Sequence, residues 1–166
     1  MPALYYANVT VHVLAAMFWL GGMFFLGLVG APVLRAVEPP ELRQRMFEEI
    51  GRRFRRIAWW MIGVLVVTGI INLHYRGWLH WHGVFDSGQF WHTPTGYALA
   101  AKLAMVVGMI AISGVHDFID GPRAGKLAPG SPAAIAFRRR AALLARVNAV
   151  FGVLLVVAAV RLARGG

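Results

Sequence analysis

Residues 7–29 read ANVTVHVLAAMFWLGGMFFLGLV, an apolar run in which His12 is the only ionisable residue. A helix of about 20 residues spans the roughly 30 Å hydrocarbon core of a bilayer. Three further runs have a comparable length and hydropathy, and they cover residues 57–73, 95–115 and 141–160. The sequence therefore predicts an all-α, polytopic membrane protein. Its four transmembrane helices are expected to form an antiparallel bundle within a single domain over residues 1–166.

The composition also indicates a membrane protein, with 58% apolar and 14% charged residues. Soluble globular proteins carry about a quarter charged residues. The chain has no Cys, which excludes disulfides, thiolate metal sites, iron–sulfur clusters and covalently attached c-type haem. A metal must therefore be held by His, Met, carboxylate or backbone groups. We assign the formal net charge of +10 to loops beside the bilayer rather than to a nucleic-acid partner.

Basic residues are distributed unevenly among the loops. The loop before the second apolar run contains seven Arg, whereas the loop after it contains only Arg76. Cytoplasmic loops are enriched in Lys and Arg, so the pattern predicts that both termini and residues 74–94 lie outside a bacterial-type cytoplasmic membrane. Between Pro40 and Phe54, apolar residues recur at four-residue steps. This periodicity predicts a short interfacial helix, about 40–54, against the inner leaflet of the bilayer.

Ionisable side chains within the apolar runs are the main functional signal, because a charge near the bilayer centre costs at least about 2.5–3.5 kcal/mol. His12 and Lys102 fall at similar depths below the outer surface, which predicts that they belong to one site. His116 lies towards the opposite surface and could serve only a second, inner-side site. Met105 and Met109 share the helix face of Lys102, where they either pack or contribute soft ligands.

Four of the six histidines lie in or beside the outer loop, and they are His74, His80, His82 and His92. His80 and His82 form an H-x-H pair, which chelates a metal when the segment is extended. His12 and His74 are the predicted pair of cofactor ligands, with His92 or Lys102 as replacements for His74. His12, His74, His80 and His82 are the corresponding candidates for a bare metal ion. The alternative is that the loop histidines belong to an aromatic-rich interfacial belt.

Several short motifs also resemble those of a known family. They are HVLAAMFWLGGMFF at 12–25, APVLR at 31–35, GRRF at 51–54, TGIIN at 68–72, Lys102-Leu103, Asp117-Phe118 and GPR at 121–123. In order and spacing they resemble the CopD-type membrane domain, whose members are associated with copper resistance and copper uptake. The first and third runs are also similar to HemJ-type four-helix proteins, which bind haem b. The resemblance implies that His12 and Lys102 carry the function.

Three functions follow from these features. The favoured one is a His-coordinated redox cofactor, haem b, near the outer face, serving electron transfer or an oxidase-type reaction with a quinone or a redox protein as partner. The alternative is copper binding or transport across the cytoplasmic membrane, with imidazole and thioether ligands. The third is an accessory membrane subunit without chemistry of its own. The sequence leaves open whether the chain is an enzyme and whether it forms a homo-oligomer.

Overall fold

The structure, a computed structural model, describes residues 3–79, 88–124, 127 and 131–164. Every regular element in these ranges is helical, which confirms the all-α prediction. The α-helices are α1 (Ala3–Phe25), α2 (Ala31–Arg35), α3 (Pro40–Tyr75), α4 (Pro94–Gly114), α5 (Gly121–Ala124) and α6 (Pro132–Ala163). In the described part of the chain, four helical stretches are long and apolar enough to cross a membrane. The chain divides into two units, Met1–Val84 and Phe85–Gly166.

In the first unit, α1 packs along α3. Asn8 contacts Asn72, His12 contacts Thr68, and Gly22 lies against Phe54. Position numbers rise along α1 as they fall along α3, so the two helices run antiparallel. Ala15 and Ala58 are buried, as expected where small residues let transmembrane helices approach closely.

The helix α3 is longer than the predicted second span. Its 36 residues correspond to about 54 Å at 1.5 Å per residue, and they include both the predicted interfacial segment 40–54 and the span 57–73. Pro39 and Pro40 begin the helix, and Glu49 forms ion pairs with Arg52 and Arg53 within it. Such pairs three and four residues apart support a continuous helix. The segment 40–54 is therefore the first part of α3 and not a separate helix; its position at the inner leaflet stays a prediction.

Two π-helical segments follow the first and third spanning helices, at Leu26–Gly30 and Val115–Asp120. In each case the second residue after the segment is a proline, Pro32 or Pro122. Proline has no backbone N–H and cannot form the usual helical hydrogen bond to the residue four positions earlier. A local widening of the helix is one way to accommodate that missing bond.

In the second unit, α4 packs along α6. Gly108 lies beside Phe151, Ser113 bonds to Asn148, and Asp120 after α4 pairs with Arg140. These contacts also run in opposite directions along the two helices. Each helix begins with a side-chain cap, because Thr93 Oγ1 accepts a hydrogen bond from the Gly96 N–H and Ser131 Oγ accepts one from the Ala134 N–H.

Large apolar side chains are exposed on the long helices of both units. Leu28, Trp60 and Val107 expose between 67% and 74% of their surface. In water such surfaces would drive association, whereas a bilayer accommodates a helix that is apolar on all sides. The described helices are therefore those of a multi-pass membrane protein in contact with lipid.

Candidate functional site

Four polar side chains meet between α1 and α3, and we call Asn8, His12, Thr68 and Asn72 the His12 cluster. His12 Nδ1 and Thr68 Oγ1 are joined by a hydrogen bond of 2.7 Å. The Asn8 side-chain amide donates to the Thr68 carbonyl oxygen at 3.0 Å and to Asn72 Oδ1 at 2.8 Å. The cluster thus links two apolar helices through directional contacts.

The spacing of these residues explains why they meet. Asn8 and His12 are four residues apart on α1, and Thr68 and Asn72 are four apart on α3. Residues at this spacing lie on the same face of a helix. In a bilayer, polar groups gain by bonding across a helix pair, because lipid offers them no partners.

Thr68 is the most buried member of the cluster, with 7% of its surface exposed. Its hydroxyl also lies 2.6 Å from the Val64 carbonyl oxygen, one turn earlier on the same helix. His12 is half-buried. A β-carbon built on Gly69 would lie 3.6 Å from His12 Cε1, an ordinary van der Waals distance, so this glycine faces the edge of the imidazole ring.

His74 lies on α3, two residues after Asn72 of the His12 cluster. It follows Thr68 by six residues, which places it about 120° around the helix at 100° per residue. Its side chain is exposed, and its ring centroid lies 6.2 Å from that of Tyr75. The pairing of His12 with His74 as cofactor ligands stays a prediction.

The other predicted site residues lie in the second unit or outside the described ranges. Lys102 is half-buried on α4, and His92 is exposed in a short helical turn before it, 6.5 Å from the Tyr97 ring. Because His12 and Lys102 belong to different units, their shared site stays a prediction. His80 and His82 lie outside the described residues. Over the described ranges, no group of three or more His, Asp or Glu is arranged to hold a metal ion.

His116 lies in the π-helical segment after α4. Its Nδ1 is 2.8 Å from Asp117 Oδ1. Three residues further along, Asp120 is only 2% exposed, and its Oδ2 lies 3.0 Å from Arg140 Nε. This end of the second unit therefore holds a buried carboxylate, its ion pair with Arg140 and a contact between His116 and Asp117.

Sequence reasoning did not assign site roles to Asn8, Thr68, Asn72 or Asp120. For the first three, a signal was present: polar residues four apart in two separate apolar runs are expected to face each other. Asp120 had no such signal. Its partner Arg140 lies in a run of three arginines before the fourth apolar run, and the positive-inside rule already explains basic residues there. Only the packing of α6 along α4 identifies that pair.

An apolar groove of about 490 Å³ also lies between α1 and α3, lined by residues from Met17 to Phe25 on α1, by Leu26 just after it, and by residues from Ile50 to Ile57 on α3. Among the described residues, Arg53 is the charged one that lines it. Of the predicted ligand residues, none that the structure describes lines this groove.

Residues 48–162 match the family model described as copper resistance protein D. The chain belongs to this CopD family. A curated relative from Aquifex aeolicus (strain VF5), described as an uncharacterized protein, is 33% identical over 115 residues, which are 69% of this chain and 68% of the relative. No solved structure matches significantly.

The range matched by the CopD model contains only part of the His12 cluster. It includes Thr68, Asn72 and Lys102, whereas Asn8 and His12 precede its first residue. The membership of the chain in the family therefore rests on α3 to α6. The helix α1 lies outside the matched range and joins it through contacts with α3.

Proposed function

We propose that this CopD-family protein binds copper within the cytoplasmic membrane and passes it across, with His12 as a ligand. The observation that carries the proposal is the hydrogen bond of 2.7 Å between His12 Nδ1 and Thr68 Oγ1. Metal-binding imidazoles usually have their second ring nitrogen held by a hydrogen bond, which orients the ring. Here the holding group is buried between two apolar helices.

Copper suits the side chains that this chain offers. Imidazole binds copper, and thioether sulfur is a soft ligand for Cu(I). The exposed positions of His74 and His92 suit first capture of the metal, and His80 and His82 are predicted to take part in the same step. Copper here is the cargo, and the description of the family as copper resistance protein D supports this choice.

Lys102 is proposed to belong to the same site as His12. Each is an ionisable residue in an apolar helix, where an isolated charge is costly. A shared site would give a reason for both ionisable groups to lie in apolar helices. In this proposal Lys102 acts as a ligand or as a proton donor beside the metal.

Competition titration of the purified protein with Cu(I) and a chromophoric chelator tests these roles. His12→Ala and Lys102→Ala are each expected to weaken copper binding by about tenfold or more. Val13→Ala and Leu103→Ala are matched controls, since both side chains are exposed neighbours on the same helices. If His12→Ala binds Cu(I) with wild-type affinity, His12 is not a copper ligand. Wild-type affinity in Lys102→Ala alone would separate the two residues.

Haem b is the second candidate, and the position of Gly69 facing the edge of the His12 ring favours it. Haem iron requires only one or two axial ligands from the protein, and a neutral imidazole is one of them. Gly69 has no side chain to crowd the ring, which would let His12 accept a bulky partner. His74, His92 and Lys102 are the predicted second ligands. When bound, haem would supply one-electron chemistry.

Absorbance titration of the purified protein with haem separates the two candidates. A saturable Soret shift that is lost in His12→Ala, without stoichiometric copper binding, would replace copper by haem. Stoichiometric copper binding without a Soret shift supports the copper proposal. Binding of neither would leave the accessory-subunit interpretation.

A further inference from the structure

We infer that Thr68 holds His12 in the tautomer with its proton on Nδ1, so that Nε2 carries the electron pair that binds the metal. The assignment of the tautomer comes from the hydrogen bonds of the His12 cluster. Its use in metal binding rests on the proposed function.

The single proton of the Thr68 hydroxyl decides which ring nitrogen of His12 is protonated. This hydroxyl has one proton and two close neighbours, the Val64 carbonyl oxygen at 2.6 Å and His12 Nδ1 at 2.7 Å. A carbonyl oxygen only accepts hydrogen bonds, so the hydroxyl proton must point towards Val64. The hydroxyl oxygen then accepts from His12, and that requires a proton on Nδ1.

The rest of the cluster keeps this arrangement in place. Bonding of a Thr hydroxyl to the carbonyl four residues earlier is a common pattern within helices. Asn8 donates to the Thr68 carbonyl oxygen at 3.0 Å and to Asn72 Oδ1 at 2.8 Å, which sets the register of α1 against α3. Because Thr68 is 7% exposed, little water is present to offer His12 Nδ1 a competing acceptor.

The consequence concerns the other nitrogen of the ring. In a neutral imidazole one nitrogen carries the proton and the other carries the lone pair. With the proton on Nδ1, Nε2 is the atom that can coordinate a metal ion. Thr68 is thus a positioning residue, which acts through His12 and does not itself touch the metal.

Nitrogen NMR of the metal-free protein with ¹⁵N-labelled histidine measures the tautomer directly. At about pH 8.5, well above the ordinary His pKa of about 6.5, the ring is neutral. The His12 signals are identified by their loss in His12→Gln. We expect a protonated Nδ1 and an unprotonated Nε2 in the wild type and in Thr68→Ser. In Thr68→Val, which keeps the shape but lacks the hydroxyl, we expect the Nε2-protonated form to appear.

A wild-type His12 with its proton on Nε2 would overturn the inference, whether or not Thr68→Val folds. An unchanged tautomer in folded Thr68→Val would also overturn it. Cu(I) titration gives the second measurement: Thr68→Val should bind about 10–100-fold more weakly, and Thr68→Ser should restore most of the affinity. If the tautomer is as assigned but the wild type binds no copper, the proposed function fails and the tautomer assignment stands. If copper binds through His12 with equal affinity in Thr68→Val, the positioning role fails instead.

Discussion

Gly22 of α1 and Phe54 of α3 approach so closely that a β-carbon on Gly22 would lie 2.6 Å from Phe54 Cε2. The neighbouring Gly21 has open space instead, with nothing in the described structure within 4 Å of the same built atom. Of the two adjacent glycines, only Gly22 therefore provides the close helix approach that small residues permit in membranes.

Gly22→Ala should lower the stability of the α1–α3 pair by about 1–3 kcal/mol, because the Phe54 ring must move. Gly21→Ala is the control and should be neutral or stabilising by up to about 1 kcal/mol, since Ala favours helix more than Gly. Unfolding in a denaturing detergent, followed by Trp fluorescence, measures both. In a Phe54→Ala background the effect of Gly22→Ala should largely disappear. An equal loss from both glycines would contradict the contact.

Gly96 is the second glycine with a steric requirement. A β-carbon there would overlap the Phe90 carbonyl oxygen, and backbone cannot rotate away as a side chain can. Gly96→Ala should therefore destabilise the start of α4 by about 3 kcal/mol or more. Gly108→Ala, on the same helix, adds only an ordinary contact of 3.6 Å with Phe151 and should leave the unfolding transition close to that of the wild type. Similar transitions for the two variants would refute this prediction.

Arg140 is predicted to stabilise the second unit through Asp120. The carboxylate is 2% exposed and the Arg side chain 56% exposed, so the pair is only partly desolvated. Arg140→Ala should cost about 2 kcal/mol, between the roughly 0.2–1 kcal/mol of surface pairs and the roughly 3–5 kcal/mol lost when a buried charge loses its partner. Arg139 is the exposed neighbour, and Arg139→Ala should change the free energy of unfolding little. In the double variant Arg140→Ala with Asp120→Asn, the stability lost in Arg140→Ala should be recovered. Equal losses from Arg139→Ala and Arg140→Ala would count against the pair.

The orientation of the chain in the membrane is predicted to place both termini and Gln89 outside. Because the natural chain has no Cys, a single introduced Cys is sufficient to test it. Gln89→Cys should react with an impermeant maleimide in intact cells, whereas Glu48→Cys should react only after permeabilisation. Both side chains are exposed in the structure, so each should be reachable from its own side. The reverse labelling pattern would invert the topology.

The four spanning helices could be predicted from the sequence because the bilayer imposes a local condition. Each crossing segment needs about 20 apolar residues regardless of its neighbours. Helix ends were less predictable. Residues 40–54 have the periodicity of an interfacial helix, yet they continue without a break into the second span, and the sequence contains no proline between Pro40 and Tyr75 that would interrupt it.

His12 and Lys102 could be identified as candidates because an ionisable residue in an apolar run is costly wherever it points. The partners of His12 could not be chosen in the same way. The four-residue spacing of polar residues marks a face on each apolar run, but it does not show which two runs pack together. Thr68, Asn72 and Asn8 therefore acquire their roles only when α1 and α3 pack together.

The apolar runs and the absence of Cys determined the class of protein and the kinds of metal ligand it can offer, since hydropathy and residue chemistry are local properties. The tertiary structure alone decided that His12 contacts Thr68. It likewise decided that Asp120 pairs with Arg140. In a membrane these choices depend on close packing and on hydrogen bonds between helices, because hydrophobicity does not favour one apolar face over another.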